Sequence, residues 1–139
     1  MFVPNLFTRM QQLCRDRSAN VGLTFGVAFV PIVCVVGSAV DFSRASNVRT
    51  MLQAAADAAA IGAIVPNSVA YKAALQMDQD GQISVGATEA VKIFNANVAD
   101  KGGFAVTGVT ATVSRAAGTL TAVVSFTATV EAAFMQVLG

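Results

Sequence analysis

Asp78-Gln79-Asp80-Gly81 is the densest group of chemistry-bearing side chains in this 139-residue chain. Two carboxylates one residue apart, followed by a glycine, invite comparison with a calcium loop, where alternate oxygen ligands precede a sharp turn. In that frame Asp78, Asp80, Gly81 and Ile83 fall at loop positions three, five, six and eight. The first ligand position is then Gln76, and the twelfth, which needs a bidentate Glu, is Ala87. Two essential ligands are missing, so the stretch reads as a solvated turn, and no metal is expected.

The other acids, Asp16, Asp41, Asp57, Asp100, Glu89 and Glu131, are scattered and form no carboxylate pair on one face. The chain has no histidine, which excludes a histidine base and a histidine-containing zinc site. Cys14 and Cys34 lack the CxxC spacing of a metal or redox motif. On one helix their twenty-residue separation is roughly 30 Å, far beyond disulfide reach. They read as a juxtamembrane thiol and a lipid-facing or packed one. A lipoprotein cysteine follows a small residue, and these follow Leu13 and Val33. No glycine-rich phosphate loop follows a strand. No basic patch interleaves with aromatics, and the net charge is only +1. Neither catalysis nor a cofactor, a small-molecule substrate or nucleic acid is expected.

The informative features are therefore the elements. Hydrophobic residues make up 55% and charged residues 12%, an apolar skew relative to a soluble domain. Residues 1–19 form a basic leader with Arg9, Arg15 and Arg17 against Asp16. Residues 21–40, VGLTFGVAFVPIVCVVGSAV, are uncharged. At 1.5 Å per residue they span about 30 Å, the thickness of a bilayer's hydrocarbon core. Cations before the span predict a cytoplasmic N-terminus and a head outside the cytoplasm. Pro31 predicts a kink or local loosening, which a membrane helix tolerates. Gly22 and Gly26 form a GxxxG pair that permits close helix contact.

The same helix is expected to continue. Ala45, Val48, Leu52, Ala55, Ala59 and Ala63 repeat in steps of three and four, one buried seam on a helix. Pro66 disfavours helix at Val65 and sets the end at Ile64. Residues 67–77 predict a short helix and residues 85–99 a longer one, with Ala87, Val91, Phe94 and Val98 on one face. Beyond Gly103 the period changes to two. Val109, Ala111 and Val113, then Leu120, Ala122, Val124, Phe126, Ala128 and Val130, alternate with Thr and Ser. These are two strands of a hairpin turning at residues 115–118, with Gly108 marking a bulge. Two strands alone are marginal; the tail at 131–139 reads as a helical turn or the approach to a third strand, and the chain is expected to be a fragment or to depend on a partner. A cleaved signal peptide is the rival reading of the N-terminus. Gly37-Ser38-Ala39 has small residues spaced for a cut after Ala39, but the apolar run is long for that role.

Residues 15–65 resemble the N-terminal region of Tad (Flp) pilus-assembly TadE/TadG-like proteins. The resemblance rests on Asn20-Val21, Phe25, Pro31, a G-x-A-V-D-x-x-R element running from Gly37 through Asp41 to Arg44, and an L-Q-x-A-A-D-A-A-A element. The latter includes Leu52, Gln53, Ala56, Asp57 and Ala60. These twelve residues are the family-motif and helix-packing candidates. Ala19 stands where a processed pilin has Gly before the cut, and Thr24 where it has Glu, a departure from the processed pattern. The resemblance implies a membrane-anchored component of fibre assembly or adhesion. The implied partners are the lipid bilayer and other pilus-assembly or pilin-like subunits, met through the long helix.

The expected architecture is α+β and pilin-like: a long N-terminal transmembrane helix continuing into a small head with a second helix and a β-hairpin or small antiparallel sheet. The expected divisions are a leader at 1–19, a span at 20–40 and a head at 41–139, whose residues 41–64 continue the helix. The expected location is the bacterial inner membrane, single-pass. The alternative is a secreted or surface binding module released after Ala39.

Overall fold

The computed structural model describes residues 17–134, with side chains from residue 21 onward. The leader cations Arg9 and Arg15, with Asp16 and Cys14, lie outside the described residues. Six elements follow in order: helix α1 (Arg17–Ile64), helix α2 (Val69–Leu75), strand β1 (Gly81–Gln82), helix α3 (Ser84–Val98), and strands β2 (Phe104–Ala116) and β3 (Thr119–Val130). The fold is α+β: one long apolar N-terminal helix, two further helices and a three-stranded antiparallel sheet. The chain divides into two compact units, Met1–Phe42 with Ala133–Gly139, and Ser43–Ala132.

In the first unit, no described residue covers the stretch of α1 from 21 to 33. Every side chain from residue 21 to 33 is exposed. This is the one described helix long and apolar enough to cross a membrane. Pro31 lies inside it, and the helix continues on both sides. The Ser38 hydroxyl donates to the Cys34 carbonyl at 2.8 Å, so that polar group is satisfied within the helix. The helix runs unbroken through Ala39.

In the second unit, α1 supplies the seam read from the sequence. Leu52, Ala55, Ala59 and Ala63 are buried together with Ala56, while Ala45 and Val48 are half-buried. The end at Ile64 is closed by a type II turn. Val65 O accepts from Ser68 N at 3.0 Å, Pro66 takes the second position, and Asn67 takes the left-handed one at φ 70°. Ser68 then caps α2, its Oγ accepting from Tyr71 N at 3.1 Å.

The sheet order is β1-β2-β3. β1 pairs Gly81 with Arg115 and Gln82 with Ser114. The third strand is thus two residues of the stretch read as a solvated turn, supplied there by backbone pairing rather than by an alternating pattern. Residues 135–139 lie outside the described residues, while Glu131 and Ala132 continue no strand. β2 begins at Phe104, earlier than the alternation suggested, because a bulge at 106–108 breaks its period. The hairpin loop is Ala117-Gly118 alone, both at positive φ (49° and 77°), a type I′ turn matched to strand twist.

Two apolar clusters hold this unit. Leu52, Ala55, Ala56 and Ala59 meet Phe94 of α3 and the inner faces of β2 and β3. Phe94 stacks on Phe126 with ring centres 5.6 Å apart. Ala63, Ala70, Ala74, Ile83, Ala90 and Val113 form the second cluster. There α3 approaches so closely that a Cβ on Gly86 would sit 2.5 Å from Ala70 Cβ.

Candidate functional site

The motif residues fall into two groups. In the second unit, Leu52 and Ala56 are buried, Ala60 is half-buried, and Gln53 and Asp57 are exposed on another face of α1. The L-Q-x-A-A-D-A-A-A element therefore has two sides, one spent on the core and one facing outward. Arg44 is exposed, its guanidinium against Gly103, whose φ of +86° favours glycine. Alongside runs a groove of about 340 Å³, lined by Ala45, Val48, Arg49 and Leu52 of α1 and by Phe126, Thr127, Ala128 and Val130 of β3.

In the first unit, Val21 and Phe25 are exposed, and Phe25 stacks on Phe29 at 6.0 Å. The side chain of Asn20 is outside the described ones. Pro31 lines an apolar hollow with Ile32, Val35 and Val36. Gly37 and Asp41 act together. Asp41 Oδ1 accepts from Ala133 N at 2.9 Å, and Oδ2 accepts from Phe134 N at 3.0 Å. Phe134 lies over Gly37, where a Cβ would meet the ring at about 3 Å. Four residues apart on one helix face, the glycine makes room and the carboxylate takes two amides. The sequence marks Gly37 and Asp41, but nothing local in it marks Phe134 as their partner.

Asp80 is exposed, as in a solvated turn, but it is tied to the hairpin. Its Oδ2 accepts from Ala117 N at 2.7 Å, and its Oδ1 from Arg115 Nε at 3.2 Å. The Ala117 amide first, and the Arg115 guanidinium second, hold the carboxyl below its ordinary value. Arg115 Nη1 also donates to Ala74 O at 2.6 Å and Met77 O at 2.8 Å. One guanidinium thus ties the end of α2 and the segment before β1 to the hairpin tip. The sequence offered Asp80 as a ligand fragment. Arg115, thirty-five residues away, carried no signal beyond its place in the hairpin turn.

Among the described residues no three Asp, Glu or Cys side chains converge as a metal site would require. Residues 20–74 match the family model Tad, "Putative Flp pilus-assembly TadE/G-like". Over this segment the chain is similar to that family. The match takes in the apolar half of α1, its alanine-rich half and α2. All twelve motif residues lie within the TadE/G-like segment. No curated protein and no solved structure matches the chain.

Proposed function

We propose that the protein is a membrane-anchored structural component of a Tad (Flp) pilus system, a minor pilin-like scaffold for fibre assembly or adhesion. The observation that carries this reading is the TadE/G-like match over a helix whose apolar first half is uncovered from 21 to 33. In this reading residues 20–40 span the bacterial inner membrane once, residues 1–19 stay in the cytoplasm, and residues 41–139 work outside it. The cations ahead of the span support that orientation. Other pilus-assembly subunits pack on the outward face of α1, around Gln53 and Asp57. The roles are scaffolding ones and need no catalytic group.

Deletion of the gene followed by electron microscopy of surface fibres tests the function. Lost or malformed fibres, restored by the full chain, are expected; normal piliation would overturn the assignment. N-terminal sequencing of the membrane-bound protein tests the anchor. An intact N-terminus or a start near Val21 keeps the span. A start near Val40 would replace the anchor with a released binding module.

A further inference from the structure

We infer that the outer edge of β3 and the groove beside it receive an extended strand from another protein, one with apolar side chains at alternate positions and an acidic residue among them. β3 is the last strand of the sheet, so its outer row of backbone groups has no strand partner among the described residues. Exposed edges are ordinarily blunted by charge, proline, a bulge or short length. β3 runs for twelve residues, TLTAVVSFTATV, without a charge or a proline, and the bulge of this hairpin is on β2. Side-chain hydrogen bonds fix which backbone groups are open. Thr107 Oγ1 donates to Thr127 O at 3.2 Å, so the Thr127 carbonyl faces β2. Thr129 Oγ1 donates to the carbonyl of Ala105, its partner in the register, so that pair too turns its backbone into the hairpin. Odd-numbered residues therefore spend their amides and carbonyls on β2. Even-numbered ones, from Leu120 to Val130, present theirs at the edge.

The groove says what kind of strand fits. It is lined by α1 and β3 and by nothing from β2, and so lies on the edge-strand side of the apolar face. A strand added at the edge drops every second side chain into it, beside Phe126, Ala128 and Val130. Main-chain bonds then hold the strand and the groove selects its side chains. Arg49 sets the charge. It stands on the groove wall, exposed and with no ion pair among the described residues. An acid on the inward face of the incoming strand is drawn to it, and a lysine there is repelled.

A second copy of this chain does not supply the strand. Arg44 lies by Gly103, at the Val130 end of β3, and Ala63 packs with Val113, the neighbour of Ala122, so α1 runs antiparallel to β3. A two-fold axis across β3 would reverse one α1, and with it one span. With both copies upright, β2 of one would lie against β3 of the next, a repeat of two strands or about 10 Å. The helices α1 and α3 both lie over the sheet and together need about 20 Å. The donor is therefore a different protein, an exclusion that rests on the single-span reading proposed above.

The probe is a short peptide alternating threonine and valine, with glutamate in place of one valine, added to the full chain in detergent micelles. Amide hydrogen exchange reads the edge. In the chain alone, the amides of Val124, Phe126 and Ala128 should exchange fast and those of Val123, Ser125 and Thr127 slowly; the peptide should slow the first set. The glutamate peptide should bind about fivefold more tightly than one with lysine at that position, and Arg49→Glu should reverse the order. Slow exchange at Ser125 and Thr127 in that variant verifies that its sheet is intact. In cells, a photo-reactive residue in place of Thr127 should capture a protein other than this chain, through a segment of this alternating, acid-bearing kind, and Arg49→Glu should remove the adduct. Even-numbered amides already slow in the chain alone or unprotected by the peptide, a charge preference indifferent to Arg49→Glu, or adducts confined to lipid or to another copy would each overturn the proposal. The peptide measurements depend on neither piliation nor the span, so a failure here is distinct from a failure of the pilus reading.

Discussion

Ala117 occupies a left-handed conformation that L residues with a Cβ enter at a cost of about 1–2 kcal/mol. Its side chain is exposed and only its backbone amide is used, by Asp80. Ala117→Asn therefore creates the Asn-Gly pair preferred in this turn and should stabilise the chain by about 1 kcal/mol, read as a higher midpoint of thermal unfolding. An unchanged or lower midpoint would argue against the turn geometry. The carboxylate beside it makes a pH-dependent contribution. The folded pKa of Asp80 lies below its ordinary value near 3.8. Its stabilisation is then full above that ordinary value and is lost as pH falls through the lower folded one. Asp80→Asn should lower the midpoint at neutral pH, with the gap closing under strongly acid conditions; a gap constant with pH would show that the charge is not what matters. Arg115→Ala removes the donor to Ala74 and Met77 and should cost about 2 kcal/mol by denaturant unfolding.

At the scale of elements, legibility followed how local each determinant is. The end of α1 at Ile64 was readable because Pro66 acts on its immediate neighbour. The hairpin was readable because alternation and Gly118 are properties of a short window. β1 was not, since Gly81 and Gln82 have no strand character of their own and become a strand only opposite Arg115 and Ser114. The early start of β2 was hidden by its bulge, which shifts the alternation by one residue. Of the site, the motif residues of α1 could be named in advance, whereas the partners of Asp41 and Asp80 are set by contacts about ninety and thirty-five residues away. The packing of α3 makes its own prediction. Gly86→Ala drives a methyl into Ala70 and Val113 and should cost about 2 kcal/mol, despite improving helix propensity. A neutral or stabilising result would mean that α3 has room to shift away.

For the whole molecule, the apolar half of α1 and the TadE/G-like match point to membrane-linked work. The chain should resist alkaline carbonate extraction and leave the membrane fraction only with detergent. Release by carbonate would count against a span. Within the proposed pilus role, the outward face of α1 should matter more than the loop before β1. Asp57→Leu is expected to reduce surface fibres at unchanged membrane level, while Asp78→Ala, in an exposed loop, leaves them normal. Equal fibre counts in the two strains would refute that ranking.

The make-up of the core has a consequence for how this protein responds to mutation. Among the described residues, Leu52, Ile83, Phe94 and Val113 are the large buried apolar ones, and the other seven are alanine. An alanine scan, the usual instrument for finding critical positions, passes over those seven without changing them. The informative scan here runs the other way, toward larger side chains, because a methyl-lined seam fails by crowding rather than by cavity formation. Random variation at these sites should therefore be tolerated toward glycine or serine more often than toward valine or leucine, the reverse of what an aliphatic core permits.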